Sequence, residues 1–417
     1  MRTEWDVIVV GGGLAGLAAG ATAAAGGART VVLEGHRPGG RARTSTRRDY
    51  VFNMGAHAFY LGGPGAEVLR SLGVRPEGVP APLPRYRLLK DGRLHRVPAS
   101  PATLLRTTAI GGAGKAQFAR LLGLLPVLRT DRMADTSVRR WLEDRDLRPD
   151  VSAVVRTLIR LSTYTADIDG FSAGAAIRQL QIGARPGVVY LHGGWAQLID
   201  GLSGLVEVRP KEKVTEVEPT GAGVAVRTDT GVLTARQVIL AVGPPAATRS
   251  LLPGEPGWTD LGPPVTAACL DLGVTRAPSP GYVLGVDEAI MGVTQSPPAH
   301  QSPPGHAVVS AIRYGATAAD ADRAALERHV ATLGVRVPDV AESRFLARMV
   351  VAGAMPLATT GGLAGRPDVN DSGTEGVLIA GDWVGPDGLL ADAALASGHS
   401  AARRALRAIE RSPVVAA

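Results

Sequence analysis

The stretch "VVGGGLAGLAAG", Val9–Gly20, contains five glycines and no charge. It follows "DVIVV" (Asp6–Val10), a β-branched apolar run typical of strands that are buried on both faces. The residues after the glycines favour a helix, and "ARTVVLE" (Ala28–Glu34) predicts a second buried strand. The first 34 residues therefore predict a βαβ unit and a parallel sheet.

Three of these glycines, Gly11, Gly13 and Gly16, match the pattern G-x-G-x-x-G between the predicted strand and helix. The first allows a tight turn, the second lets the backbone approach a pyrophosphate, and the third lets the helix pack on the strand. Glu34 follows Gly13 by 21 residues, at the end of the second strand, where a carboxylate binds ribose hydroxyls. A glycine motif alone is weak evidence, but strand, helix, second strand and acid together predict dinucleotide binding.

A membrane-spanning or signal segment is the alternative for the uncharged region from Val7 to Ala28, which is long enough to cross a bilayer. Glu4 and Asp6 precede it, however, and no region rich in Lys or Arg leads into it. The chain has 417 residues, of which 45% are hydrophobic, as in a soluble globular enzyme. We therefore expect neither a signal nor a spanning segment here, and the single cysteine, Cys269, favours a reducing cytoplasm.

The net charge of +7 is spread over many segments, without aromatic residues interleaved in a dense basic stretch. Nucleic acid is therefore not expected as a partner. A single cysteine, Cys269, excludes an intramolecular disulfide and a cysteine-rich metal site. We expect no metal.

Three further segments make the assignment more specific: "PGGRART" (Pro38–Thr44), "FNMGAHAFY" (Phe52–Tyr60) and "GVLIAGDWVGPDGLLADAALASG" (Gly376–Gly398). With the glycine motif, they resemble the superfamily of flavin-containing amine oxidases and phytoene desaturases. The resemblance implies FAD-dependent oxidoreductase activity. It also implies an α/β fold, with a Rossmann-like FAD-binding domain on a parallel sheet and a substrate domain of mixed sheet and helices.

The predicted domains are discontinuous. Residues 1–63, 187–254 and 353–417 form the FAD-binding domain. Residues 64–186, which are mainly helical, and residues 255–352, which are mainly strands, form the substrate domain.

The resemblance also implies the cofactor contacts. In the superfamily, Arg41 and the glycines before it run beside the pyrophosphate and flavin, and Val214 lies on a strand whose backbone pairs with adenine. Asp382, where a Glu is commoner, holds the ribityl or pyrophosphate region, and a helix beginning near Leu389 points at the N1/O2 edge of the flavin. No cysteine lies near this last motif, so we expect noncovalent FAD. The predicted cofactor-binding residues are Gly11, Gly13, Gly16, Glu34, Gly39, Gly40, Arg41, Gly55, Ala56, Val214, Gly381, Asp382, Leu390 and Ala391.

The expected reaction is dehydrogenation (desaturation) of an apolar or alicyclic small molecule by hydride transfer to flavin N5. Amine oxidases of the superfamily place two aromatic side chains on one flavin face and often a lysine near N5. Here Leu389 stands at one aromatic position, and the four lysines lie in other predicted elements. Amine oxidation at a C–N bond stays as an alternative, and a non-catalytic protein that binds a lipidated partner is a remote one.

His57 is the candidate catalytic residue, as a substrate anchor or proton carrier, with a purely structural role as the alternative. The candidate substrate-binding residues are Tyr60, Trp195, Trp383 and Leu389. "FARLLGLLPVLR" (Phe118–Arg129) is interpreted as a core-facing helix, which could also wall a tunnel or contact a membrane surface; membrane contact is not favoured. Oxygen, a quinone or a carrier stays open as the electron acceptor, and the sequence leaves the oligomeric state open.

Overall fold

The computed structural model describes residues 4–184, 186–258 and 261–411. Its strands are β1 (Trp5–Val10), β2 (Thr30–Glu34), β3 (Thr44–Arg47), β4 (Tyr50–Asn53), β5 (Phe59–Tyr60), β6 (Gly78–Pro80), β7 (Arg87–Lys90), β8 (Arg93–Arg96), β9 (Val188–Leu191), β10 (Glu207–Pro210), β11 (Val214–Thr220), β12 (Gly223–Thr228), β13 (Val232–Leu240), β14 (Val265–Val274), β15 (Tyr282–Gly285), β16 (Ile290–Ser296), β17 (Ala307–Tyr314), β18 (Val340–Ala352) and β19 (Val377–Ile379). Its α-helices are α1 (Leu14–Ala25), α2 (Pro64–Ser71), α3 (Pro101–Arg106), α4 (Gly112–Leu124), α5 (Val138–Glu143), α6 (Pro149–Thr163), α7 (Ala173–Ala184), α8 (Ala196–Ser203), α9 (Pro245–Arg249), α10 (Ala319–Thr332) and α11 (Leu390–Arg411).

The first large sheet has the strand order β10-β2-β1-β13-β12-β11, and β19 pairs with the second half of β13. The strands β10, β2, β1, β13 and β19 run parallel, while β12 and β11 extend the sheet as antiparallel strands. Helix α1 connects the parallel pair β1 and β2. The predicted βαβ unit and the α/β fold class are thus confirmed.

Helices α1 and α11 pack together against this sheet, and small residues let them approach closely. The Cβ that an alanine would add at Gly398 on α11 would collide with the carbonyl of Ala15 on α1. A Cβ at Gly16 would collide with the carbonyl of Gly11 in the same way. The glycine motif therefore shapes the core as well as the loop.

The second large sheet is mixed, with the order β18-β14-β17-β16-β15-β7-β8. Its pairs are antiparallel except for β15 with β7. Helix α10 covers one face, and the other faces a core shared with helices α4 to α7. Two small sheets, β3-β4 and β5-β9-β6, complete the topology of the described residues.

Strands of the first sheet come from three separate stretches, residues 5–34, 207–240 and 377–379. Strands of the second sheet come from residues 87–96 and 265–352. The segment 64–186, predicted to be mainly helical, therefore also contributes the β7-β8 hairpin to this sheet. The exact domain boundaries stay predictions. In the part of the chain that is described, no helix combines the length and apolar character needed to cross a membrane.

Candidate active site

A cavity of about 1450 Å³ is lined by residues of both large sheets and of the helices beside them. One region of its wall is built from the loop after β1, the end of β2 and the start of β11. Another is built from α4 to α7 and the face of the second sheet. The two regions differ in chemistry.

The first region has the features of a dinucleotide cradle. Gly11 adopts φ +104°, and a Cβ there would lie 2.5 Å from the carbonyl oxygen of Ala241. Gly13 precedes the first turn of α1, and a Cβ at this position would meet open space, so the helix N-terminus is accessible to a ligand. The Glu34 carboxylate accepts hydrogen bonds from the backbone N–H groups of Gly12 (2.7 Å) and His36 (2.8 Å). These bonds fix a carboxylate at the cavity wall, as a ribose-binding acid requires.

Arg41 and Asp382 form an ion pair at the cavity wall. Nη1 and Nη2 of Arg41 each donate to one carboxylate oxygen of Asp382, both at 2.8 Å, and Gly353 N–H donates to the same carboxylate at 2.9 Å. Burial opposes the ionisation of Asp382, but the charge and hydrogen bonds of Arg41 hold its pKa below the ordinary value. Both oxygens of Asp382 are engaged, so its direct effect is to orient Arg41.

His57 lies where the cavity passes from the first region to the second. Its Nδ1 donates to the carbonyl oxygen of Gly55 at 2.9 Å, which leaves Nε2 as an acceptor in the neutral ring. Burial lowers the pKa of His57, so the imidazole is neutral at pH 7. Its ring meets the edge of the Trp195 ring, with centroids 4.9 Å apart.

A buried ion pair holds the chain just before Gly55 in place. Arg344 donates to Asp271 at 2.6 Å, and the Ser310 hydroxyl donates to the same carboxylate at 2.6 Å. Arg344 also donates to the carbonyl oxygen of Asn53, two residues before Gly55. Both charged side chains are almost fully buried. Through the bond to Asn53, the last residue of β4, the pair holds the end of this strand beside the cavity.

The second region of the cavity is apolar. Among the described residues between 64 and 184, those that line it are Ala81, Leu83, Tyr86, Phe118, Leu121, Leu122, Leu125, Leu128, Trp141, Val155, Leu158, Leu161, Ser162, Tyr164, Ile177, Gln179, Leu180, Gly183 and Ala184. None of these is charged. The opposite wall includes Met291, Val293 and Ile312 of the second sheet.

The tyrosines of this region direct their hydroxyls to protein atoms. The hydroxyls of Tyr86 and Tyr190 share a hydrogen bond, Tyr164 donates to Ala56 O at 2.9 Å, and Tyr60 donates to Ser162 O at 3.3 Å. Burial raises the pKa of Tyr60 to about 12, so its phenol is neutral. These groups therefore give the cavity shape rather than charge.

Two polar residues of the wall, Gln179 and Asp392, were missed by the sequence analysis. The Gln179 side chain is 1% exposed, and its amide forms no hydrogen bond of ordinary geometry within the described part of the chain, although it interacts with the Tyr60 hydroxyl and lowers the pKa of that group. Asp392 accepts a hydrogen bond from Gly65 N–H at 3.0 Å through Oδ1, while its buried Oδ2 has no partner there. Burial raises the pKa of Asp392 to about 7, so this carboxyl can hold or release a proton near neutrality. Its position in the first turn of a helix within the C-terminal motif was the available signal.

Most of the predicted site residues lie together on the cavity wall. Those that line it are Gly11, Gly13, Glu34, Gly39, Gly40, Arg41, Ala56, His57, Tyr60, Trp195, Val214, Gly381, Asp382, Leu390 and Ala391. Gly55 has φ +93°, and a Cβ there would lie 3.0 Å from the side chain of Met349, which lines the cavity; Gly16 packs behind Gly11.

Trp383 and Leu389 do not line this cavity. The Trp383 side chain is fully buried, its Nε1 donates to Gly243 O at 2.7 Å, and its ring packs on Trp258 at 4.9 Å. The prediction that Trp383 borders the substrate is therefore corrected, because the indole belongs to the core of the first sheet. Leu389 is 5% exposed and packs in the second core, just before α11 begins at Leu390.

Comparison with known proteins agrees with this geometry. The family model described as "Flavin containing amine oxidoreductase" matches residues 14–277. No curated relative matches the sequence. Solved structures that share the fold include an oxidoreductase from Methanosarcina mazei (TM-score 0.76, 17% identity, 95% of this chain and 99% of that one). The fold is also shared by a cyclohexylamine oxidase from Brevibacterium oxydans (TM-score 0.72, 17% identity, 98% of this chain and 100% of that one). It is shared as well by a putrescine oxidase variant with a redesigned cofactor site (TM-score 0.72, 16% identity, 97% of this chain and 99% of that one).

The family match covers more than half of the chain, and the glycine loop, Glu34 and Arg41 line one cavity as a flavin dinucleotide requires. The protein therefore belongs to the flavin-containing amine oxidoreductase family and is an FAD-dependent oxidoreductase.

Proposed function

We propose that the protein dehydrogenates an apolar or alicyclic small molecule, with FAD as the oxidant. The proposal rests on the uncharged wall that residues 64–184 contribute to the cavity. Burial of apolar ligand surface there contributes about 25 cal/mol per Å² to binding. A charged ligand in the same place loses its hydration and gains no opposite charge from this wall.

Bound FAD supplies an electrophilic N5 that accepts a hydride, so the protein needs to provide mainly binding and orientation. Gly11 and Gly13 leave room for a pyrophosphate at the start of α1, Glu34 suits the ribose hydroxyls, and Arg41 supplies a cation. We propose that FAD is held noncovalently by these groups, which acid precipitation followed by absorbance of the supernatant tests.

The neutral His57 is proposed to contact the substrate. With Nδ1 donating to Gly55, the Nε2 of the neutral ring is the atom that could accept a proton or a hydrogen bond. Tyr60 and Trp195, which line the cavity near it, orient the substrate by contact with their rings.

Amine oxidation at a C–N bond is the second candidate, and Asp392 favours it. Asp392 lines the cavity, and its buried Oδ2 has no hydrogen-bond partner in the described part of the chain, so an ionised carboxylate could stabilise an ammonium group there. A substrate amine would then bind between Asp392 and the apolar wall.

Anaerobic reduction of the bound flavin separates the two candidates. Purified protein is mixed with a panel of alicyclic and alkenyl compounds and with a matched panel of amines, and bleaching of the flavin absorbance is followed. We expect bleaching by neutral apolar compounds and no loss of that activity in Asp392→Asn. Faster bleaching by simple amines, abolished in Asp392→Asn and retained in the exposed control Asp387→Asn, would establish amine oxidation instead.

The electron acceptor is proposed to be oxygen, a quinone or a protein carrier. Reoxidation of the substrate-reduced flavin, followed separately with each acceptor, identifies it by the fastest rate.

A further inference from the structure

Large apolar side chains are exposed in one part of the helical layer. Leu105, at 74% exposure, lies on α3, while Leu122 (38%), Leu124 (43%) and Val127 (71%) lie at the end of α4 and the turn after it. Leu122, Leu124 and Val127 are called here the α4 patch. Lys115 of α4 donates to the carbonyl oxygen of Leu105 at 2.8 Å, which places α3 beside the same helix. Contiguous exposed apolar side chains of this size mark interaction surfaces.

Helix α4 separates this surface from the cavity. Phe118 is buried on its inner side, and Leu121 and Leu125, at helical spacing from it, line the cavity. Leu122 is exposed and also lines the cavity, so the α4 patch lies where the apolar wall reaches the surface.

The charges around the α4 patch are mainly basic, and the acidic residue nearest to it in the sequence, Asp131, is paired with Arg129 at 2.8 Å. From Arg93 to Thr130 the chain has five arginines and one lysine and no acidic residue. Among the described residues, the exposed Arg106 and Arg120 form no ion pair. Arg120 precedes Leu124 by four positions and therefore shares its face of the helix.

We propose that the α4 patch docks on an anionic lipid surface. Exposed leucine and valine side chains at such a surface enter the boundary of the acyl chains, while arginines contact the lipid phosphates. A second copy of the chain fits less well, because a symmetric contact through this patch would bring basic residues of both copies together. Docking would place Leu122, which is exposed and also lines the cavity, against the membrane, where apolar molecules are dissolved. This inference goes beyond the proposed reaction.

Vesicle flotation of the full-length, FAD-loaded protein tests the docking. We expect binding to vesicles of phosphatidylglycerol mixed with phosphatidylcholine, and at least tenfold weaker binding to pure phosphatidylcholine or in 1 M salt. The double variant Leu124→Asp/Val127→Asp should reduce binding to mixed vesicles at least tenfold. Val337→Asp, at an 88% exposed position on another surface turn, is the matched control and should bind like the wild type.

Three results overturn the proposal: no binding of the wild type to mixed vesicles, unchanged binding of the double variant, or an equal loss in Val337→Asp. A wild-type dimer that the double variant converts to a monomer in light scattering also overturns it and assigns the α4 patch to a second copy. Flavin content and thermal midpoint show that each variant is folded. Because flotation needs no substrate, its failure is distinguishable from failure of the proposed reaction.

Discussion

Replacing Asp392 with Asn tests whether the fold suppresses ionisation of this carboxyl. Its side chain is 3% exposed, and Oδ1 accepts a single hydrogen bond from Gly65 N–H. Burial dominates over that hydrogen bond and raises the pKa of Asp392 to about 7. Asparagine keeps an acceptor for Gly65 and has nearly the same shape, but it cannot ionise.

The sign and size of the effect follow from proton linkage. An unfolded Asp titrates near pH 4, so between about pH 4 and pH 7 the folded protein holds a proton that the unfolded chain has released. The free energy of unfolding of the wild type therefore falls as pH rises through this window, by about 1.4 kcal/mol per pH unit for this group. Over about three units the Asn variant gains about 4 kcal/mol relative to the wild type, fully present above pH 7.

Denaturant unfolding of the FAD-loaded wild type, Asp392→Asn and the exposed control Asp387→Asn is measured from pH 4.5 to pH 8.5. We expect the stability difference between wild type and Asp392→Asn to grow with pH and to level off above pH 7, with no such trend in the control. A difference that is constant over this range would show that Asp392 ionises freely, and the reasoning from burial would then be wrong.

Three further predictions concern other parts of the structure. Gly11→Ala should lose bound FAD and about 2 kcal/mol or more of stability, since its backbone is left-handed and a Cβ meets a carbonyl, whereas Gly221→Ala, with open space around it, should keep the flavin content measured by absorbance. Arg344→Met should cost about 3–5 kcal/mol in denaturant unfolding by leaving Asp271 unpaired, and adding Asp271→Leu should recover much of it; no recovery would contradict the buried pair. Trp383→Phe should cost about 1 kcal/mol from its lost hydrogen bond and leave substrate-dependent flavin bleaching unchanged, whereas a selective loss of bleaching would return Trp383 to the substrate wall.

The cofactor half of the cavity could be predicted because its signals are local in the sequence. A strand, a glycine loop and a helix specify where Gly11 and Gly13 lie, and the parallel strand β2 then carries Glu34 to the same edge. The partner of Arg41, by contrast, lies 341 residues away, and only the assembled sheet brings Asp382 to it.

The substrate half could not be predicted to the same depth, because burial there depends on distant contacts. Asp392 is shielded partly by Gly63 and Gly65 at the start of α2, more than 300 residues earlier, whose lack of side chains lets the carboxyl approach. Trp383 lies in the loop between β19 and α11, and the sequence of this loop does not decide whether the indole lines a pocket or is buried in a core. Its burial follows from packing on Trp258 and from the carbonyl of Gly243, which the sequence does not place beside it.

The strand order of the first sheet also fixes when the protein can become active during its synthesis. β13 receives its last neighbour, β19, only at residues 377–379, and α1 receives α11 only after residue 390. A chain still growing on the ribosome therefore carries apolar surfaces of β13 and α1 without their covers, and these long-range pairings slow folding. Because Asp382 also emerges in this segment, FAD can enter its finished site only after the residues up to α11 have been translated.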